Sequence, residues 1–352
     1  MPTRITLFYQ IVNLFTEAPL ALLPIHALGL DALGGAKPSW APEDILSHCA
    51  GGITACEYLA KGQHEDIALS YSILTTYLTA LKQIVDHSSL HRKEAARLAA
   101  QSLMIKATLT LHREGPKRGI SFGKQAVIYS KESGDTALMA AVMKRLAWMY
   151  ACDNQEKQAL ETVLQAKSSL LKQQKTQPIH PTIESSISGG IAKYQARNGQ
   201  DEDALAALRE AYETFSVPGS SGDEVTSSFY DDFNYAWLIT ESGLTHYHLE
   251  QYEKALDTFA EAIDPSTLAP KVPISSMRAR IEIINHQTLA SLKRHTKDRE
   301  FSIHLWTAGI KGAIALRSEQ RFSEALESLS IMQALWSGDK QIRELRELTR
   351  HW

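Results

Sequence analysis

The sequence predicts an all-α protein built as a right-handed solenoid of stacked helical hairpins. Three observations lead to this prediction. Past Glu43 the chain has few prolines, and its apolar residues recur with the period of an amphipathic helix. Short phrases with the same spacing of small residues return five times along the chain. A polar, turn-like segment lies between the two predicted helices of each repeat, as expected for repeated hairpins.

The clearest repeat lies in the second half of the chain. Ala255, Phe259 and Ala262 are spaced four and three residues apart, and Gly243 precedes Ala255 by twelve residues. Two antiparallel helices cross closely only where their side chains are small, and the aromatic ring fills the gap to the next hairpin. This spacing is typical of the tetratricopeptide (TPR) repeat, which would cover residues 236–268.

The same spacing of small residues predicts four further repeats. Their marker residues are Ala147, Ala159, Val163 and Ala166 (residues 140–173), Ala192, Ala204, Leu208 and Ala211 (185–218), Ala107, Gly119, Gly123 and Ala126 (100–133), and Ala313, Ala325 and Leu329 near the end. The last two predicted repeats are separated by the greatest number of residues, which predicts one extra helical hairpin between them, 277–294 plus 300–314. Residues 218–228 are polar and rich in Gly and Ser, which predicts a loop, and residues 338–352 predict a charged capping helix.

Composition excludes several classes of protein. With 352 residues, 44% of them hydrophobic, the chain can bury a sizeable core. Lys and Arg (37) nearly balance Asp and Glu (40), so the net charge of -3 leaves no electrostatic footprint for nucleic acid. The three cysteines, Cys49, Cys56 and Cys152, are too few for a disulfide framework. They predict reduced thiols in a cytoplasmic protein.

The N-terminal residues differ from the rest of the chain. Residues 5–33 are largely apolar, but Asn13, Glu17, Pro19 and Pro24 interrupt the run, so no membrane span is expected. We predict that residues 1–43 form an apolar helical segment packed on a body at 44–352. Self-association through this segment, or a membrane-proximal position, are the alternatives.

Three segments of the body carry a family resemblance. They are SKESGDTALMAAVMKRLAWMY at 130–150, ESGLTHYHLEQYEKALDTFAEAID at 241–264, and the run from HLWTAGIKG to QIREL at 304–345. The body resembles the C-terminal TPR half of bacterial helix-turn-helix (XRE-type) transcriptional regulators. The resemblance implies a sensing or docking role, and in peptide-sensing members of that group the repeat concavity holds a short signal peptide.

The DNA-reading half of those regulators has no counterpart here. The first 60 residues contain only two basic residues, Arg4 and Lys37, whereas a recognition helix needs cations and amides to reach phosphates and bases. We therefore expect the DNA-binding domain to be lacking and no direct contact with nucleic acid.

A ligand of a TPR solenoid would lie on the concave face, which the first helix of each hairpin lines. The positions of the TPR repeat that point toward the concave face, together with Asn234 just before one such helix, give nine predicted ligand-binding residues. They are Gln101, Lys144, Trp148, Lys193, Arg197, Asn234, Trp237, Tyr247 and His248. The aromatic members supply rigid contact area. The lysines and the arginine would suit a carboxylate, either a peptide C-terminus or an acidic side chain.

No catalytic signature is present in the sequence: there is neither a glycine-rich phosphate loop nor a nucleophile elbow. His87 and His91 have a metal-like spacing, but Ser88 and Ser89 between them indicate a helix end instead. We therefore expect no enzyme, no metal and no cofactor. The leading hypothesis is a module that binds a peptide or protein segment in its concave groove. The alternatives are a self-associating, homodimeric scaffold related to transcriptional regulators, and a small-molecule binder or enzyme with an enclosed pocket.

Overall fold

The computed structural model describes residues 41–62, 64–174, 180–215 and 233–352. These residues are almost entirely helical, and an isolated bridge between Ile263 and Pro270 is the one β-type pairing among them. The prediction of an all-α protein is therefore confirmed. Most of the apolar N-terminal segment (1–40) and the predicted loop at 218–228 lie outside the described residues.

Fourteen α-helices occupy the described ranges. They are α1 (Pro42–Ala60), α2 (His64–His87), α3 (Arg92–Glu114), α4 (Pro116–Ser133), α5 (Thr136–Cys152), α6 (Glu156–Gln174), α7 (Pro181–Arg197), α8 (Asp201–Thr214), α9 (Tyr235–His248), α10 (Tyr252–Ala262), α11 (Met277–Lys293), α12 (Arg299–Ala315), α13 (Glu319–Leu335) and α14 (Lys340–Leu345). A short 3-10 helix, Arg346–His351, follows α14.

Each predicted hairpin corresponds to two neighbouring helices in contact. The pairs α3–α4, α5–α6, α7–α8, α9–α10 and α12–α13 match the five repeats, and α11–α12 matches the extra hairpin. The small residues that led to the prediction are buried: Ala147, Ala159, Ala192, Ala204 and Ala255 have no exposed surface. They lie where the two backbones of a pair approach.

Four helix pairs are joined by the same tight turn. Asn154, Gly199, Glu250 and Arg317 each lie two residues past a helix end and have positive φ, at 56°, 73°, 59° and 45°. The next residue in each turn donates its backbone N–H to the carbonyl five residues earlier, over 2.9 to 3.1 Å. This is the Schellman geometry, which satisfies the last carbonyls of a helix. The repeated turn follows α5, α7, α9 and α12.

Alternate helices form a second set of contacts. α1, α3, α5, α7, α9 and α11 each contact the next member of this row, and α13 contacts both α11 and α3. The part of the row from α3 to α13 therefore closes on itself. Where α13 meets α3, His112 Nδ1 lies 2.8 Å from Ser318 Oγ, a pair 206 residues apart in sequence. We call the row α3–α5–α7–α9–α11–α13 the inner row.

A substitution at Gly243 tests the close approach of α9 and α10. A methyl group at Gly243 would overlap the ring of Phe259, which is fully buried. We expect Gly243→Ala to lower the free energy of unfolding by about 1 to 3 kcal/mol through overpacking. Gly51→Ala in α1 is the matched control, because nothing lies within 4 Å of its added carbon. Urea denaturation of both variants decides, and equal midpoints would contradict the packing.

Candidate ligand cavity

A cavity of about 200 Å³ lies between the inner row and α1. Residues from α1, α3, α5, α7, α9, α11 and α13 line it, so helices from both ends of the described chain enclose one space. Its walls are mainly apolar and aromatic, with charged groups set among them: Ile105, Leu109, Trp148, Phe233, Trp237, Leu244, Ile274 and Ile283, together with Glu57, Lys61, His112, Lys144, Arg145, Lys193, Glu241, Arg278, Glu282 and Arg321. An apolar cavity with a few convergent polar groups is the usual form of a ligand site.

Five of the nine predicted site residues line this cavity. They are Lys144, Trp148, Lys193, Asn234 and Trp237, which come from three helices, α5, α7 and α9, with Asn234 as the N-cap of α9. The other four, Gln101, Arg197, Tyr247 and His248, are not among the lining residues. Arg197 instead forms an ion pair with Glu156 (Nη2–Oε1 2.9 Å). The ring of Tyr247 packs edge-on against that of His248.

The two predicted lysines are held by one carboxylate. Lys193 Nζ lies 2.7 Å from Glu241 Oε2, and Lys144 Nζ lies 3.9 Å from Glu241 Oε1. Burial alone lowers the pKa of Lys193, but Glu241, Tyr194 and Glu282 together outweigh burial and raise it above its ordinary value. Lys193 is therefore charged, and Glu241 holds both lysine side chains in position. Glu241 follows Trp237 by four residues, so helical spacing places it on the same face of α9.

Aromatic rings enclose the ammonium group of Lys144. Its Nζ lies 3.0 Å from the centre of a Trp237 ring and 4.8 Å from that of Phe233. Such contacts between a cation and an aromatic face are favourable when desolvated. Gly189 in α7 makes room for the indole, since a methyl group there would lie 3.3 Å from Trp237. A helix-interior glycine, ordinarily unfavourable, thus allows this packing.

A second ion cluster lies at the α11–α13 side. Arg321, only 2% exposed, donates to Glu282 (Nη2–Oε2 2.5 Å) and to Glu324. Asn285 Nδ2 donates to the Arg321 carbonyl and to Glu324 Oε2, each at 3.0 Å. Burial raises the pKa of Glu282. Burial also acts to raise the pKa of Glu324, but Arg321 outweighs it and lowers that pKa.

His112 links the cavity wall to the contact that closes the row. Burial first, and then the nearby cations Arg278 and Arg321, hold the pKa of His112 well below its usual value. Ser318 Oγ accepts the N–H of Arg321 at 3.3 Å and lies 2.8 Å from Nδ1 of the imidazole. The Trp148 ring lies 5.9 Å from the imidazole. The contact that closes the row therefore buries a histidine whose neutral form is favoured.

Two helices begin at the cavity wall. Asn234 caps α9 by accepting from Trp237 N, and Ser276 caps α11 by accepting from Ala279 N, both at 3.1 Å. Neither helix has an acidic residue in its first turn. Arg278, 6% exposed, occupies the first turn of α11. The positive ends of both helix dipoles thus lie at the lining.

Sequence reasoning missed several lining residues. Glu241 could have been found from its spacing to Trp237, but Arg278, Glu282 and Arg321 come from helices that join the cavity only because α13 returns to α3. His112 also lines the cavity, and its partner Ser318 lies 206 residues away in the sequence. Nothing in local sequence spacing indicates such a contact.

The described residues also bear on metal binding, membrane crossing and thiol reactivity. No group of three or more metal-binding side chains occurs within the described ranges. None of the helices in the part of the chain that the structure describes has the length and hydropathy to cross a membrane. Cys49, Cys56 and Cys152 are free thiols, and burial raises the pKa of each to about 12. They are therefore poor nucleophiles at neutral pH.

Comparison with known proteins adds no family assignment, because neither the models of known protein families nor the curated proteins include a match to this chain.

Proposed function

We propose that the chain is a non-catalytic, TPR-like right-handed solenoid that binds a peptide or protein segment, with one end of that segment inserted into the cavity. The resemblance to the sensor half of helix-turn-helix regulators agrees with such a role. The observation that carries the proposal is the convergence of Lys144, Trp148, Lys193, Asn234 and Trp237 on one cavity. The repeat register predicts an inward position for four of these residues, and Asn234 lies just before one such helix.

The size of the cavity limits what can enter it. About 200 Å³ is below the roughly 300 Å³ at which drug-sized ligand pockets begin. An extended peptide therefore cannot be enclosed, whereas one terminal residue can. The same size favours the second candidate function, a binder of a small single-ring molecule, because such a molecule would fill the cavity without a further chain outside it.

The charged groups in the cavity support a binding role over catalysis. Lys193 is paired with Glu241, Arg321 with Glu282, and Arg145 with Glu57, so these titratable groups hold the wall together. The three free thiols agree with the proposed cytoplasmic location, where cysteines stay reduced. We propose a peptide or protein as the partner and propose no role for nucleic acid, cofactor or metal.

Filling the cavity tests the proposal. Ala279 lines the cavity and is partly exposed, so Ala279→Phe would occupy the space and spare the buried ion pairs. We expect native chain, mixed with the low-molecular-mass fraction of a bacterial extract and re-isolated by size exclusion, to retain compounds that Ala279→Phe does not. Mass spectrometry of the denatured fractions measures this.

The control for that experiment is Ala334→Phe. Ala334 is exposed in α13 and does not line the cavity, so retention should equal that of the native chain. Equal retention by Ala279→Phe, or no retention by the native chain, would refute binding in the cavity.

A further inference from the structure

We infer that a second surface of the molecule, where α2 and α4 both pack on α3, binds an acidic peptide segment. We call this surface the Lys106 patch. Its members are Tyr71, Lys82, Lys106, Arg113 and Phe122. None of the five lines the cavity, so the inference does not depend on what the cavity binds.

Helical spacing arranges the patch along three helices. Tyr71 and Lys82 are eleven residues apart on α2, and Lys106 and Arg113 are seven apart on α3. Both spacings return to the same face of a helix. Lys106 Nζ lies between α2 and α4, at 4.6 Å from the centre of the Tyr71 ring and 4.8 Å from that of Phe122. The Arg113 guanidinium lies 5.5 Å from the Tyr71 ring centre. The patch therefore extends over about 16 Å along α2.

Lys106 differs in its partners from the other buried lysines of the described ranges. Lys144 and Lys193 both pair with Glu241. Lys106, 8% exposed, donates instead to Thr75 Oγ1 at 2.9 Å, and no described carboxylate forms an ion pair with it. Because Thr75 is exposed, the ammonium group lies at the end of a buried stem close to the protein surface, where a ligand can reach it.

The neighbouring charges favour an anion at Lys106. Burial first, and then the cations Lys82 and Arg118, lower the pKa of Lys106, while Glu114 acts in the opposite direction. Glu114 itself pairs with Arg118 (Oε2–Nη1 2.7 Å). Within the part of the chain that the structure describes, Lys82, Lys106 and Arg113 thus have no carboxylate partner. A bound carboxylate would offset both the burial of the ammonium group and its repulsion by the other cations.

The aromatic rings favour a peptide over a nucleic acid. The faces of Tyr71 and Phe122 are directed at the Lys106 ammonium group, so they are not open to stack on bases. Three cations are also few beside the roughly 6 to 10 phosphate contacts of strong nucleic-acid binding. Alternate residues of an extended peptide point to the same side, about 7 Å apart. Three acidic residues would therefore span about 13 Å, close to the length of the patch, and clusters of cations are a known way to recognise acidic motifs.

Isothermal calorimetry with three probes tests this inference on the full chain. The acidic probe is an N-acetylated, C-amidated pentapeptide of alternating glutamate and leucine, and its neutral match has glutamine in place of glutamate. The third probe is a thymidine pentanucleotide. We expect the acidic peptide to bind at least tenfold more tightly than the neutral peptide and more tightly than the pentanucleotide. Equal binding of the two peptides, or no saturable binding of the acidic one, overturns the inference. Tighter binding of the pentanucleotide overturns the peptide as the partner.

Lys106→Met tests the location, with Lys124→Met as the matched control. Methionine keeps the apolar stem and removes the charge. Lys124 is exposed on α4, and its Nζ lies 5.8 Å from the ring centre of Tyr150 in α5, outside the patch. We expect Lys106→Met to weaken the acidic peptide at least fivefold and Lys124→Met to change its affinity less than twofold. An Lys106→Met variant that binds like the native chain would place the peptide elsewhere and overturn the inference.

Arg113→Met provides the same test at an exposed site, where the substitution leaves the packing of the helices in place. It should weaken the acidic peptide as well, and it decides the location if Lys106→Met does not fold. Unchanged affinity in Arg113→Met would then overturn the assignment to the patch.

Discussion

Arg321→Met is expected to lower the free energy of unfolding by about 3 kcal/mol, because it removes a buried cation from two partly buried carboxylates. Arg321 is 2% exposed and pairs with both Glu282 and Glu324. Without it, Glu282 and Glu324 would face each other across α11 and α13 with no guanidinium between them. Those helices include the one that closes the inner row on α3, so closure should weaken as well. Urea denaturation followed by circular dichroism measures the loss.

Arg343→Met is the matched control for this experiment. Arg343 is exposed on α14, and a surface substitution of this kind usually changes stability by no more than about 0.5 kcal/mol. Adding Glu324→Gln to Arg321→Met should restore part of the lost stability, since one of the two unpaired charges is removed. An Arg321→Met variant as stable as the native chain would mean that the ion cluster does not support the closed arrangement.

Acidification should destabilise the protein well above the pH at which its carboxylates protonate. Burial and nearby cations lower the pKa of three inner histidines: well below the usual value for His112, to about 3 for His248 and to about 4 for His286. In the unfolded chain each would titrate near 6.5. The unfolded state therefore binds more protons below that pH. The stability of the folded state is fully present above about pH 6.5 and is lost as pH falls toward 4.

The expected loss between pH 7 and pH 5 is about 2 kcal/mol for each histidine. Free energies of unfolding at pH 7, 6 and 5, from urea titrations, would measure it. His248→Gln and His286→Gln should each flatten the dependence, since each removes one group that binds a proton only on unfolding. His295→Gln, at an exposed site, controls for the substitution itself. A stability that is constant or rises from pH 7 to pH 5 would contradict the neutral state of these histidines.

The structure changes how one obvious experiment should be interpreted. Lys193 was selected from its register as a direct ligand contact, and Lys193→Glu would test that role. Because Lys193 Nζ lies 2.7 Å from Glu241 in a buried site, the substitution would set two carboxylates against each other. Loss of binding in that variant would therefore report a damaged fold. Ala279→Phe avoids this ambiguity, because it leaves the pair of Lys193 and Glu241 in place.

The sequence by itself determined the helices and their pairing into hairpins. Small residues such as Ala159 and Gly243 mark close approaches, and left-handed residues such as Asn154 and Gly199 end the first helices. These signals are local, because they depend on spacings within one hairpin. Trp148, Trp237 and Lys193 could be placed on the cavity wall for the same reason.

Tertiary structure alone decided the partners of those side chains and the closure of the inner row. The contact of His112 with Ser318 spans 206 residues, and it forms because α13 packs on α3. No spacing within one hairpin specifies such a contact. The same closure brings Arg278, Glu282 and Arg321 to the cavity, so the size and charge of the cavity depend on which helices meet there.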